Sequence, residues 1–82
     1  MHESGIVEEL IHEVEKVAQA NGGGRVVRVE LGMGEMAGFS REHLEEHFRS
    51  ASAGTIADGA ALDIHTAEGD SLTLEAVEVE DP

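Results

Sequence analysis

The sequence predicts a two-layer α+β domain, with two helices packed on one face of a three-stranded mixed sheet in the order α-β-α-β-β. Three observations predict it. Two stretches carry apolar residues at helical spacing, and three others alternate apolar with polar residues. Glycine-rich or turn-forming segments separate the five. The chain has 82 residues and is 40% hydrophobic, enough for one thin core and not for two. Residues 1–82 are therefore read as a single domain.

The first helix is read over residues 4–20, where Ile6, Val7, Leu10, Ile11, Val14, Val17 and Ala18 form one apolar stripe. Ser4 is the N-cap candidate, and Asn21 followed by three glycines stops the helix. Residues 25–33 read as a strand, with Val27, Val29 and Leu31 alternating with Arg28 and Glu30. Val26 breaks that alternation, which implies burial on both faces. Gly32, Gly34 and Gly38 mark a loop or an irregular strand end.

The second helix is read over 41–53, with Ser40 as N-cap, Leu44, Phe48 and Ala51 inward, and Gly54 just past its end. The last two strands are read over 60–67 and 71–80. Glu68-Gly69-Asp70 between them predicts a tight hairpin, which would make these strands neighbours. The apolar phase shifts between Leu74 and Val77, which predicts a bulge near Glu75-Ala76.

Composition removes several function classes. Without cysteine there is no disulfide framework and no thiolate zinc site. No apolar run approaches the length of a membrane span, and the first residues lack a signal-peptide pattern, so a cytoplasmic protein is expected. The formal net charge is −13. A phosphate backbone or an anionic lipid surface would be repelled, so neither nucleic acid nor membrane is an expected partner. Cations and basic protein surfaces would be attracted.

No nucleophile motif or phosphate loop is present, so no catalytic residue is assigned. Gly32-Met33-Gly34 opens like a dinucleotide fingerprint, but Ala37 stands where its third glycine belongs. His43 and His47 lie one helical turn apart, a spacing that suits two metal ligands. The stretch His43-Leu44-Glu45-Glu46-His47 lacks the glutamate of a metalloprotease motif, and a solvent-facing pair is expected instead. His12 is read as a surface or boundary residue of the first helix, and His65 as an outward strand residue.

His2 differs through its surroundings. Its imidazole lies within chelate reach of the Met1 amine, whose reference pKa of about 7.7–8.0 leaves part of it deprotonated at neutral pH. The backbone nitrogen between them can join once a metal displaces its proton. Three nearly coplanar nitrogen donors favour Ni(II) or Cu(II) over Zn(II).

The opening Met1-His2-Glu3, followed by an amphipathic helix, resembles the HypA/HybF family of hydrogenase nickel-insertion proteins. Three more stretches carry the resemblance. Arg25-Val26-Val27-Arg28-Val29-Glu30-Leu31-Gly32-Met33-Gly34-Glu35-Met36-Ala37-Gly38 looks like the family's first strand and its Gly-Glu-Leu-Ser-Gly-type turn. Ala53-Gly54-Thr55-Ile56-Ala57-Asp58-Gly59-Ala60-Ala61-Leu62-Asp63-Ile64 looks like its passage from second helix to second strand. Residues 69–80 look like its final strand.

The resemblance implies a non-enzymatic metallochaperone that delivers Ni(II) during [NiFe]-hydrogenase maturation, with a HypB-like GTPase and a hydrogenase large-subunit precursor as partners. It implies nickel ligands at the Met1 amine, the backbone nitrogen and imidazole of His2, and the backbone nitrogen or side chain of Glu3. A histidine at position two disfavours removal of Met1, which keeps that amine in place.

Two departures stand out. The family normally inserts a zinc domain with two Cys-x-x-Cys pairs between the last two strands. Here that insertion is absent between about residues 66 and 70, and no zinc is expected. Some members also carry an acidic residue at the start of the second helix, where this chain has Ser40. The alternative reading is a metal-free adaptor that keeps the fold and docks on a HypB-like or hydrogenase-like partner. Whichever holds, self-repulsion at −13 opposes the compact state. Raising salt to about 0.5 M should therefore raise the melting temperature. A calorimetric scan showing a fall would contradict this account of the charge.

Overall fold

The computed structural model describes residues 3–38 and 40–80, and for Glu3 and Ser4 the backbone alone. The elements are α1 (Glu3–Ala20), β1 (Val26–Gly34), α2 (Arg41–Ser52), β2 (Ala61–Ala67) and β3 (Leu72–Val79). The fold is the expected two-layer α+β arrangement, and the sheet order is β2-β1-β3.

Apolar periodicity decides which faces meet. Val7, Leu10, Ile11, Val14 and Ala18 of α1 are buried, as are Leu44 and Phe48 of α2. They close over Val26, Val29 and Leu31 of β1 and Ile64 of β2, with Ala57 and Ala60 from the α2–β2 loop filling the same cluster. Each large side chain buried here contributes about 1.5–3 kcal/mol. β3 is an edge strand, and its inward Leu72, Leu74, Val77 and Val79 remain half-buried.

The helix ends are set by local chemistry. Ser40 caps α2, its hydroxyl accepting the His43 backbone N–H at 3.2 Å. The end of α1 forms a Schellman motif. The Gly23 N–H donates to the Ala18 carbonyl at 2.8 Å, and Gly22 adopts φ +106°. That left-handed backbone explains the glycine following Asn21. Ser4, expected as the cap of α1, lies inside the helix, which already includes Glu3.

β2 and β3 are not neighbours, so the expected hairpin is not formed. β2 pairs parallel with one side of β1, and β3 pairs antiparallel with the other. Residues 68–71 instead cross over the end of β1. The Gly34 N–H donates to the Ser71 carbonyl, the Glu35 N–H to Ala67 and the Met36 N–H to Gly69, each at 2.9 Å. Of the two expected alternatives, Gly32 and Gly34 thus belong to the irregular end of a paired strand rather than to a loop. At Gly34 a Cβ would collide with the Gly69 carbonyl, so the crossing fits only over glycine.

The register of β1 with β3 slips twice. Between Glu30↔Ala76 and Leu31↔Leu74, Glu75 is the extra residue, as the phase shift predicts. Between Val26↔Val79 and Arg28↔Glu78, Val27 is extra, which accounts for the broken alternation at Val26. Substituting Gly34→Ala should destabilise the protein by about 1–3 kcal/mol, because the obstruction is backbone. Gly32→Ala should cost less, because the atom it would meet is the mobile carboxylate end of Glu75. Urea denaturation of both variants checks the order.

Candidate functional site

α2 joins two parallel strands, so it runs back along the sheet and begins where β1 ends. α1 lies beside it in the same direction. Val7 and Glu8 line one groove with His47, Ser50 and Ala51. One turn on, Ile11, His12 and Glu15 line another with Ala51 and Thr55. Rising numbers on one helix meet rising numbers on the other, so both helices start at one pole. The turn after β1 and the 68–71 crossing lie at that pole as well.

Of the proposed nickel ligands, Met1 and His2 lie outside the described residues, and for Glu3 only the backbone is described, as the first helical residue of α1. Glu3 therefore enters the molecule at the pole where α2 starts. Ser40 stands at the same pole, with its hydroxyl committed to capping.

The histidines separate into three settings. His43 is exposed and His47 half-buried, their rings edge-to-face with centroids 6.4 Å apart. The expectation of a solvent-facing pair holds for His43, whereas His47 turns toward the groove beside Val7 and Glu8. His12 is exposed on α1, its Nδ1 3.8 Å from Glu15 Oε1. His65 is exposed on β2 as expected, but with company the sequence does not disclose. Its Nε2 lies 3.5 Å from Glu30 Oε1 and 3.9 Å from Asp63 Oδ2.

The open face of the sheet is thus a charged surface. Arg28 donates a short hydrogen bond to Asp63 Oδ2 across the β1–β2 pair. Glu30 is the register partner of Asp63, and Gly32 is that of His65. Among the described residues, Glu30, Asp63 and His65 form the one trio of His and carboxylate groups whose donor atoms lie within 4.8 Å of one another. The i, i+2 spacing of Asp63 and His65 was visible in the sequence, but their meeting with Glu30 depends on strand register.

The architecture defines the class before any sequence likeness does: a small α+β domain of two parallel helices on a β2-β1-β3 sheet. It is shared with the solution structure of the Ni metallochaperone HypA from Helicobacter pylori, at a TM-score of 0.82 and 18% identity, covering 96% of this chain and 97% of that one. A second solution structure of a HypA protein gives 0.81 at 19% identity, covering 98% and 97%. At such identities the likeness is one of fold.

Sequence likeness supplies the family. The family described as "Hydrogenase/urease nickel incorporation, metallochaperone, hypA" matches residues 1–75, and the chain belongs to it. The hydrogenase maturation factor HypA of Chlorobium limicola is 44% identical over 64 residues, which cover 78% of this chain and 55% of that relative. The HypA of Rhodobacter capsulatus is 37% identical over 83 residues, covering 98% of this chain and 74% of that relative. The chain thus spans little more than half the length of the first relative. Among the described residues no helix is long and apolar enough to cross a membrane.

Proposed function

We propose that this chain is a nickel carrier of [NiFe]-hydrogenase maturation, binding Ni(II) as cargo through the Met1 amine, the backbone nitrogen and imidazole of His2, and the backbone nitrogen or side chain of Glu3. The observation that carries the reading is the family match, which begins at residue 1 and so includes the chelating sequence itself. The named relatives are hydrogenase maturation factors. The reading assigns no catalytic residue. Its partners are a HypB-like GTPase and a hydrogenase large-subunit precursor.

The chemistry is consistent with capture and release. An amine, an imidazole and a deprotonated amide form fused chelate rings that favour planar Ni(II). The chelating sequence leads straight into α1, and the positive end of a helix dipole favours the anionic amide nitrogen. No cysteine is available to hold the ion more tightly. On this reading residues 1–82 act as one nickel-binding domain, the crossing at 68–71 stands where the family inserts its zinc domain, and no zinc is bound.

A Ni(II) titration of protein with a free Met1 amine tests the reading. One-to-one binding with a square-planar absorbance band is expected, lost when one residue is added ahead of Met1. His2→Ala should abolish stoichiometric binding, whereas the double variant His43→Ala, His47→Ala should keep it. Binding retained in His2→Ala would overturn the ligand assignment. No binding in any form would overturn the carrier reading in favour of a metal-free adaptor.

A further inference from the structure

We propose that the open face of the sheet carries a divalent-metal site of its own, built by Glu30, Asp63 and His65, for an exchangeable first-row ion of the Co(II), Ni(II) and Zn(II) group. The inference stands independently of the N-terminal site, with which it shares no residue.

Geometry is the first argument. Ligands bound at about 2.1 Å lie about 3.0 Å apart at an octahedral edge and about 3.4 Å apart at a tetrahedral one. The 3.5 and 3.9 Å separations from His65 Nε2 to the two carboxylates are already close to such edges. All three donor atoms lie within 4.8 Å of one another, and side-chain rotation on binding an ion would close the remainder. The three donors come from two paired strands rather than from a loop, so the backbone holds their spacing. Capping one side of an ion, they leave its outer positions to water, which permits exchange.

The second argument is what surrounds them. Between Glu30 and Met33, the outward position of β1 is Gly32, directly opposite His65. A Cβ there would lie 2.6 Å from Glu75 Oε2. The bulge at Glu75 therefore brings a third carboxylate over the central strand, into the space that a side chain at position 32 would fill. Four carboxylates, those of Glu30, Asp63, Glu75 and Glu78, share this face with the Arg28 guanidinium, leaving a net negative surface that a divalent ion would partly neutralise. Arg28 grips Asp63 Oδ2 and orients that carboxylate in the manner of an outer-shell partner. One imidazole with carboxylates is a donor set for borderline first-row ions.

The test is a Co(II) titration of the His2→Ala chain followed by amide NMR, in which the N-terminal chelate plays no part. At near-equimolar metal, signals of residues 29–32 and 62–66 should shift or broaden, while those of residues 16–20 at the end of α1 stay sharp. His65→Ala, which removes an exposed side chain and leaves the fold intact, should weaken binding at least tenfold. Asp63→Asn should weaken it too, whereas His12→Ala should leave it unchanged. Equal binding in His65→Ala, or no perturbation at all, would overturn the site. Broadening spread evenly over every acidic segment would also overturn it, since that is diffuse attraction to a chain of charge −13.

Discussion

Every interstrand hydrogen bond of the sheet involves β1. β2 pairs with one of its edges and β3 with the other, in opposite senses, and the two outer strands never meet. β1 also supplies three wholly buried side chains, Val26, Val29 and Leu31, to the core beneath the helices. The sheet therefore has no redundancy, since an error in β1 loses both pairings at once. The crossing at 68–71 enforces this topology. It carries the chain from one flank of β1 to the other in four residues, pinned by hydrogen bonds from Gly34, Glu35 and Met36.

That same crossing explains what sequence reasoning could and could not see. Helical stripes, strand alternation and capping residues are local, so the five elements, their order and the cap at Ser40 were legible. The bulge at Glu75 was legible because it shifts the phase of Leu72 and Leu74 against Val77 and Val79. The hairpin is expected, and not formed, because a short link with glycine at its centre usually joins adjacent strands. Nothing local distinguishes a turn beside a strand from one passing over it. The distinguishing residue is Gly34, some 35 positions upstream of the glycine it faces. Site legibility divides in the same way. The chelating potential of Met1-His2-Glu3 lies in consecutive residues. The meeting of Glu30 with Asp63 and His65 exists only once β1 and β2 pair in parallel register.

The acidic balance fits an architecture with one covered face. All helical cover lies on one side, so the other side of a three-stranded sheet must be made water-compatible by its side chains. Arg28, Glu30, Asp63, His65 and Thr73 do so. Both edge strands are also guarded by charge, with Asp63 on β2 and Glu75 and Glu78 on β3, which discourages pairing with another chain. A surface made water-compatible in this way places carboxylates close together, and that proximity is the premise of the cation site proposed on this face.

The core limits where chemistry can reside. Nearly all of the large aliphatic side chains and Phe48 are engaged between the layers, and Ser52 is the sole buried polar residue among those described. The titratable side chains are therefore held at the surface, on the outer faces of the helices and on the open face of the sheet, in contact with water. The absence of cysteine removes thiolate donors, so a metal site here is built mainly from nitrogen and oxygen. Such sites exchange ligands with solvent and hold ions less tightly than thiolate cages. On the proposed carrier reading the bound ion must be released, and donors kept outside the core without thiolates suit transfer better than storage.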